Sequence, residues 1–215
     1  MKKNLTEVVF IIDESGSMSG LESDVVGGFN STLKTQKEKD GECLVSTVFF
    51  DNHQKVIHDR IDIRKIEPMQ VKDYNPGGCT ALVDSIVSSI KYIKKVHKII
   101  REEDVPENTM FIITTDGMEN ASVKYSSDEL KKMIEEQKKR GWQFVYLAAN
   151  VDAVETGKNL GFSRKESVDY MPDPTGNKAM YNSINAAISS VRACGKVCDS
   201  AFEEVTNDFK KRYKK

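Results

Sequence analysis

Residues that bind transition metals are scarce in this sequence, which has four cysteines and three histidines among its 215 residues. No two cysteines stand in a Cys-x-x-Cys arrangement, and a zinc site needs four clustered nitrogen or sulfur ligands. The sequence therefore excludes a zinc site of the common types. Cys194 and Cys198 are four residues apart, so we expect them to share one face of a helix as part of a small apolar stripe.

Long apolar runs are also missing. No segment approaches the roughly 20 apolar residues of a membrane-spanning helix. The start, Met1-Lys2-Lys3, looks like a secretory signal, but polar residues follow it and the apolar run at 8–12 is shorter than a signal core. We therefore expect a buried first strand here, and a cytoplasmic protein with reduced thiols and no membrane association.

The charges nearly cancel, with 32 Lys and Arg against 33 Asp and Glu, which argues against a broad surface for nucleic acid. Two basic stretches still stand out. One side of a predicted helix carries Lys91, Lys94, Lys95, Lys98 and Arg101, and a later helix ends in Lys138, Lys139 and Arg140. A groove for nucleic acid or an acidic partner is one interpretation. A solvated helix face, offset by the acidic residues at 102–104, is the interpretation we favour.

The most informative stretch is a run of β-branched and aromatic residues at 8–12 that leads directly into Asp-x-Ser-x-Ser. Such a run predicts a strand buried on both faces. Ligands of open α/β sheets bind beyond the carboxyl ends of the strands, where Asp13, Ser15 and Ser17 would lie. Their oxygens are the ligand type that Mg²⁺ prefers. Asp, Ser and Gly are also common in loops and helix caps, so this stretch alone leaves both interpretations open.

Two further stretches favour a metal site. The turn at 75–78 delivers Thr80 to the start of an apolar-periodic helix, and a second buried strand at 110–115 ends at Asp116. Three separate loops thus supply oxygen atoms toward one edge of the predicted sheet.

In order and spacing, these residues resemble the metal-ion-dependent adhesion site (MIDAS) of von Willebrand factor type A (VWA) domains. That pattern is Asp-x-Ser-x-Ser, then a distant threonine, then a distant aspartate after a central strand. The resemblance covers roughly residues 5 to 171 and implies a complete MIDAS. It also implies a stand-alone intracellular VWA protein of the bacterial type. The implied metal ligands are Asp13, Ser15, Ser17, Thr80 and Asp116.

The resemblance also implies a fold and a function. The fold is a Rossmann-like, doubly wound, mostly parallel six-stranded sheet of order 3-2-1-4-5-6, with one antiparallel edge strand and flanking helices. The function is a protein-binding module without catalysis, in which an Asp or Glu of a partner protein completes the coordination of Mg²⁺, with Mn²⁺ or Ca²⁺ as alternatives. Ser15 and Ser17 would contact the ion directly, and Asp13 largely through water.

A metal-dependent hydrolase or phosphatase using the same ion is the main alternative. Enzymes with an aspartate nucleophile at this place generally need a second carboxylate two residues on, where this chain has Ser15. The sequence also lacks a Gly-x4-Gly-Lys-Ser/Thr phosphate loop. Glu14 and Glu119 are the spare carboxylates near the ligands, and Glu119 would be the candidate general base. An RNA-associated VWA protein is a further alternative, which the balanced charge disfavours.

Apolar periodicity predicts the other elements, with helices at 23–39, 81–101, 127–140 and 151–160 and further strands at 43–50, 54–61, 144–149 and 167–171. The short connector at 51–53 predicts an antiparallel hairpin. The pair Gly27 and Gly28 inside the first helix suggests close approach to a strand or to the metal loop. We expect Ser127 to cap its helix.

The C-terminal part follows a break at 172–176. Its apolar stripe predicts a helix that continues almost to the chain end, with a kink at Gly195. We assign residues 1–193 to the VWA domain and residues 194–215 to a C-terminal helical extension of the same domain. This extension would dock either on the body of the domain or on a partner.

Overall fold

The structure is a computed structural model that describes residues 1–150 and 152–213. The strands are β1 (Lys2–Asp13), β2 (Glu42–Phe50), β3 (Gln54–Asp62), β4 (Pro106–Thr115), β5 (Gln143–Ala148) and β6 (Ser167–Asp169). The α-helices are α1 (Glu22–Lys37), α2 (Leu82–Ile99), α3 (Ser127–Lys138), α4 (Ala153–Leu160), α5 (Pro174–Cys194) and α6 (Glu203–Arg212). The strands form one sheet of order β3-β2-β1-β4-β5-β6, parallel except for the β2–β3 pair. The predicted six-stranded order with one antiparallel edge strand is confirmed.

The central strand β1 explains the apolar run in the sequence. It lies between β2 and β4, with helices on both faces of the sheet, so successive side chains are buried on alternate sides. On one face Phe10 packs with residues of α1 and α5. On the other face Ile11 packs with residues of α2 and α3. These two cores fix β1 and therefore the point at which its last residue, Asp13, emerges.

The C-terminal helices begin and end differently from the prediction. Helix α5 begins at Pro174 and not after Gly176, because Asp173 accepts a hydrogen bond from the Gly176 N–H (2.9 Å) and proline is well suited to the first turn. The helix stops at Gly195, which adopts a left-handed conformation (φ 74°), so the predicted kink is a full end. Contrary to our expectation, Cys194 and Cys198 therefore do not share one face of a helix.

The C-terminal extension docks on the body of the domain. Ala201, Phe202 and Val205 join the core on the α5 side of the sheet. Arg212 of α6 forms an ion pair of 2.8 Å with Asp173, the residue that caps α5. Of the two options that the sequence left open, the structure shows docking on the domain itself, whereas the boundary at 193 stays a prediction.

Two local predictions are wrong. Ser126, not Ser127, caps α3, because its hydroxyl accepts the Glu129 N–H while the Glu129 carboxylate accepts the Ser126 N–H. Gly28 approaches neither a strand nor the metal loop. A Cβ at this position would lie 2.0 Å from the ring of Tyr181, so the close approach is between α1 and α5. The predicted start of α4 at Val151 lies outside the described residues.

Within the described residues, no helix combines the length and the apolar character needed to cross a membrane.

Candidate metal centre

The structure brings all five predicted ligands together at the carboxyl ends of two adjacent parallel strands. Asp13 ends β1 and Asp116 follows β4, so the two carboxylates leave neighbouring strands at the same edge. The Ser17 hydroxyl donates a hydrogen bond to Asp116 Oδ1 (2.6 Å), and the Ser15 and Ser17 hydroxyl oxygens are 3.2 Å apart. Thr80 reaches the same edge from the loop that precedes α2.

Main-chain hydrogen bonds hold the loops against each other. The Gly16 N–H donates to the Gly78 carbonyl (3.1 Å), and the Gly77 N–H donates to the Glu14 carbonyl (2.8 Å). The N–H of Thr80 donates to Asn120 Oδ1 (2.9 Å). These contacts use main-chain atoms of the loop after β1 and of the loop before α2. They therefore position the hydroxyls of the serines and of Thr80 without forming hydrogen bonds to those hydroxyls.

Gly117 shows where the hydroxyls point. A Cβ built on this residue would lie 3.4 Å from Ser17 Oγ and also 3.4 Å from Thr80 Oγ1. The two oxygens, from loops more than sixty residues apart in the chain (17 and 80), therefore face one small space that the glycine leaves open. Hard oxygen donors around such a space suit a small divalent cation.

Asp13 is fully buried and both of its carboxylate oxygens accept hydrogen bonds. The Ser15 N–H donates to Oδ1 (2.7 Å) and the Thr115 hydroxyl donates to Oδ2 (2.5 Å). The Tyr74 hydroxyl donates to the main-chain oxygen of Asp13. These contacts fix the orientation of the carboxylate. Sequence reasoning missed Thr115 and Tyr74.

The site concentrates negative charge in a buried place. Burial raises the pKa of Asp13 and of Asp116, although hydrogen bonds from Ser15 and Ser17 oppose the shift. Within the described residues, neither carboxylate forms an ion pair with a basic side chain, and no three His, Cys, Asp or Glu residues form a metal-binding group. Any cation bound here would depend on hydroxyl oxygens for the rest of its protein ligands, which favours Mg²⁺ over softer metals.

We expect the Mg²⁺ response to depend on pH. A carboxylate with a raised pKa destabilises the metal-free fold progressively as the pH rises from the unfolded-state pKa through the folded-state pKa. A bound cation reverses this effect, since it needs the ionised form. The increase in melting temperature with Mg²⁺ should therefore be larger at about pH 8 than at about pH 4, measured by thermal unfolding in matched buffers. An increase that is the same at both pH values would contradict ligation by these carboxylates.

The loop after Asp116 is held on α2 by two further carboxylates. Glu119 accepts hydrogen bonds from the N–H groups of Val83 (2.7 Å) and Ser122 (2.7 Å). Asp84 accepts hydrogen bonds from Val123 (3.0 Å) and Tyr125 (2.9 Å). Glu119 was the candidate general base, and its carboxylate is instead a cap for the start of α2. Sequence reasoning missed Asp84, which lies inside a helix with an ordinary apolar pattern.

Similarity to known proteins is confined to structure. No protein-family model matches the chain, and no curated protein matches its sequence. The vWF domain of the type V pili tip protein Mfa5 from Porphyromonas gingivalis superposes with a TM-score of 0.61 at 10% identity, covering 90% of this chain and 98% of that chain.

Two longer structures are also similar. The von Willebrand factor type A protein from Catenulispora acidiphila has a TM-score of 0.59 at 14% identity, and 86% of this chain covers 43% of that one. The ArnB paralog VWA2 from Sulfolobus acidocaldarius has a TM-score of 0.55 at 15% identity, and 85% of this chain covers 44% of that one. The chain thus spans less than half the length of these two proteins. Together with the strand order, these similarities show that the chain has the fold of a von Willebrand factor type A domain.

Proposed function

We propose that this chain is a protein-binding module that holds Mg²⁺ at a complete MIDAS and binds an Asp or Glu of a partner protein there. Mn²⁺ and Ca²⁺ are alternative ions. The residues that would hold the ion are Asp13, Ser15, Ser17, Thr80 and Asp116. When bound, the cation supplies a positive centre that attracts a partner carboxylate in a partly dry site.

The hydrogen bond between Ser17 and Asp116 is the observation that carries this proposal. It joins residues 99 positions apart and closes the set of oxygen ligands at one edge of the sheet. The open space beside Gly117, shared by Ser17 and Thr80, agrees with a cation that touches both hydroxyls. Ordinary loop capping does not account for five oxygen-bearing residues that converge from three loops.

Two apolar side chains are exposed beside the site. Met118 and Val123, in the loop after Asp116, are 68% and 88% exposed. Single exposed apolar side chains are common on protein surfaces, so these two would give a partner apolar contacts without identifying it. They would flank the partner carboxylate.

A hydrolase remains the alternative, and the hydrogen bonding disfavours it. Both spare carboxylates near the ligands are engaged: Glu119 caps α2, and Glu14 accepts the Asn75 N–H (2.7 Å). A general base needs free access to the proton that it removes. We therefore propose that the chain has no catalysis of its own. The cytoplasmic location and the bacterial type expected from the sequence stay predictions.

The domain should fold without metal, because its two cores consist mainly of strand and helix residues, to which the first ligand loop adds Met18. Excess EDTA should leave the far-UV circular dichroism spectrum unchanged, and Mg²⁺ should raise the melting temperature as mass action dictates. Unfolding by EDTA at room temperature would show that the ion is structural and would contradict a recruitment role.

Thr80→Ala should keep the fold but weaken partner binding about tenfold or more. The main-chain contacts of Thr80 with Asn120 hold the loop, so the substitution removes the hydroxyl alone. Displayed peptides can be selected on the wild-type protein in Mg²⁺ and eluted with EDTA. The enriched peptides should contain an Asp or Glu whose amide counterpart no longer binds, and Thr80→Ala should bind them weakly. Peptides that resist EDTA, or that bind Thr80→Ala as well as wild type, would overturn the proposal.

A further inference from the structure

The two cysteines nearest the C-terminus lie on either side of a reversal of the chain. Cys194 is the last residue of α5, and Cys198 directly precedes a short 3₁₀-helix at 199–202. Between them, Gly195 adopts the left-handed conformation that ends α5 and turns the chain back. The sequence predicted an apolar stripe for this pair, but both cysteines are exposed, so they contribute little to the core.

One hydroxyl group contacts both cysteines. Ser190 Oγ lies 3.8 Å from Cys194 Sγ and accepts a hydrogen bond from the Cys198 N–H (3.0 Å). The same hydroxyl donates to the Lys196 carbonyl (2.7 Å), and Cys194 Sγ lies 3.5 Å from that carbonyl oxygen. These contacts hold the segment at 196–198 against the last turn of α5. Cys198 is therefore kept beside Cys194, and such proximity is what a disulfide bond requires.

Cys198 also has the chemical properties of an attacking thiol. Its side chain is exposed, and its sulfur lies 3.5 Å from Ser200 Oγ. Hydrogen bonds with Ser200 and Ser190 lower the pKa of the Cys198 thiol, which increases the fraction of thiolate at neutral pH. The thiolate is the form that attacks a disulfide.

The other two cysteines differ from this pair and serve as internal controls. Cys43 is buried, and burial raises the pKa of its thiol to about 11. Cys79 is exposed but belongs to the loop before α2, at the carboxyl end of the sheet. The pair lies at the other end, because a Cβ on Gly195 would be 3.0 Å from Asn108 Oδ1, near the start of β4.

We propose that Cys194 and Cys198 form a reversible redox site, which a small disulfide such as glutathione disulfide oxidises to an intramolecular disulfide. The Cys198 thiolate attacks one sulfur of glutathione disulfide, so that Cys198 is joined to one glutathione and the other leaves as a thiolate. Cys194 loses its proton to solvent, attacks the Cys198 sulfur and releases the second glutathione. Two protein thiols are thus oxidised while one glutathione disulfide is reduced to two glutathione thiols.

The new bond would fasten the C-terminal extension to α5. Ala201 and Phe202, which join the core, follow Cys198 closely in the chain. A covalent link at Cys198 limits the freedom of the segment that leads to them and so opposes its local opening. Hydrogen exchange of the amides at 199–205 should therefore be about threefold or more slower in the oxidised protein than in the reduced protein.

A glutathione buffer tests the proposal on the full chain in EDTA, so that the metal centre plays no part. With about a tenfold excess of reduced over oxidised glutathione, a single thiol stays mostly reduced, whereas a pair closes because its second step is intramolecular. Alkylation of the remaining thiols under denaturing conditions and mass spectrometry of the peptides identify the linked residues. We expect a link between Cys194 and Cys198, with Cys43 and Cys79 alkylated.

Three variants and a matched control separate the steps. With glutathione disulfide alone, Cys194→Ser should accumulate Cys198 joined to one glutathione. Cys198→Ser should acquire glutathione at Cys194 about threefold to tenfold more slowly. Ser190→Ala should slow closure of the intramolecular bond about threefold to tenfold, because its hydroxyl holds the reversal. Cys79→Ser makes the same kind of substitution at an exposed cysteine outside the pair and should leave closure unchanged.

The absence of a link between Cys194 and Cys198 in the glutathione buffer would overturn the proposal. Links between two copies of the chain, or glutathione retained on both cysteines, would also overturn it. Closure in Ser190→Ala at the wild-type rate would contradict the geometry on which the proposal rests. Equal hydrogen exchange in the oxidised and reduced proteins would contradict the fastening of the extension.

Discussion

Asp13→Asn should weaken Mg²⁺ binding about 10–100-fold while the domain still folds. The substitution removes one of the two buried negative charges that would balance the cation. The asparagine oxygen can still accept the Ser15 N–H, so the loop keeps its main contact. Since burial raises the pKa of Asp13, removing its charge should also stabilise the metal-free protein at neutral pH. The variant should therefore be at least as stable as wild type in EDTA and less stable in Mg²⁺.

Isothermal titration calorimetry with Mg²⁺ measures the affinity, and thermal unfolding in EDTA checks the fold. Asp40→Asn is a suitable control because it makes the same charge change at an exposed residue beyond the end of α1. Unchanged Mg²⁺ affinity in Asp13→Asn would remove this residue from the site. Equal losses of Mg²⁺ affinity in both variants would indicate that the cation responds to the overall negative charge of the protein and that Asp13 is not a ligand.

The second large effect concerns two adjacent glycines of α1, for which we expect opposite results. Gly28→Ala should destabilise the domain by about 1–3 kcal/mol, because its Cβ would lie 2.0–2.5 Å from ring atoms of buried Tyr181. Gly27→Ala should stabilise it by about 0.5–1 kcal/mol, since nothing lies within 4 Å and alanine favours the helix.

Urea unfolding of the two single variants gives both changes in the free energy of unfolding. Changes of the same sign would contradict the close packing of α1 on α5. Gly28→Ala with Tyr181→Leu offers a further check, because removal of the ring should relieve part of the loss that the alanine causes.

The sheet could be predicted from the sequence because its strands are buried on both faces. Each strand then appears as a continuous apolar run, as at residues 8–12, bounded by residues that form turns. Helix ends were less predictable. Asp173 and Ser126 decide where α5 and α3 begin through single side-chain hydrogen bonds, and the sequence offers several residues that could make such a cap. The approach of Gly28 to Tyr181 depends on tertiary packing between segments that are 153 residues apart, which no local pattern reveals.

The candidate site divides in the same way. Its five proposed ligands stand in a sequence pattern, and the structure places these residues together. The residues that hold these five in position do not follow a sequence pattern. Asp84, within α2, accepts hydrogen bonds from the loop after Asp116, and Tyr74 donates to the main-chain oxygen of Asp13. Neither residue belongs to a recognisable sequence motif. Thr115 had one available sign, a hydroxyl at the last position of a buried strand next to Asp116.

Anomalous diffraction from crystals grown with Mn²⁺ tests the metal centre most directly, because it locates the ion without reference to affinity or activity. We expect one strong peak enclosed by the oxygens of Ser15, Ser17, Thr80, Asp13 and Asp116, directly or through water. Crystals of Asp13→Asn grown under the same conditions should show a much weaker peak. A peak at another place in the wild-type protein, or no peak at saturating Mn²⁺, would contradict the proposed site.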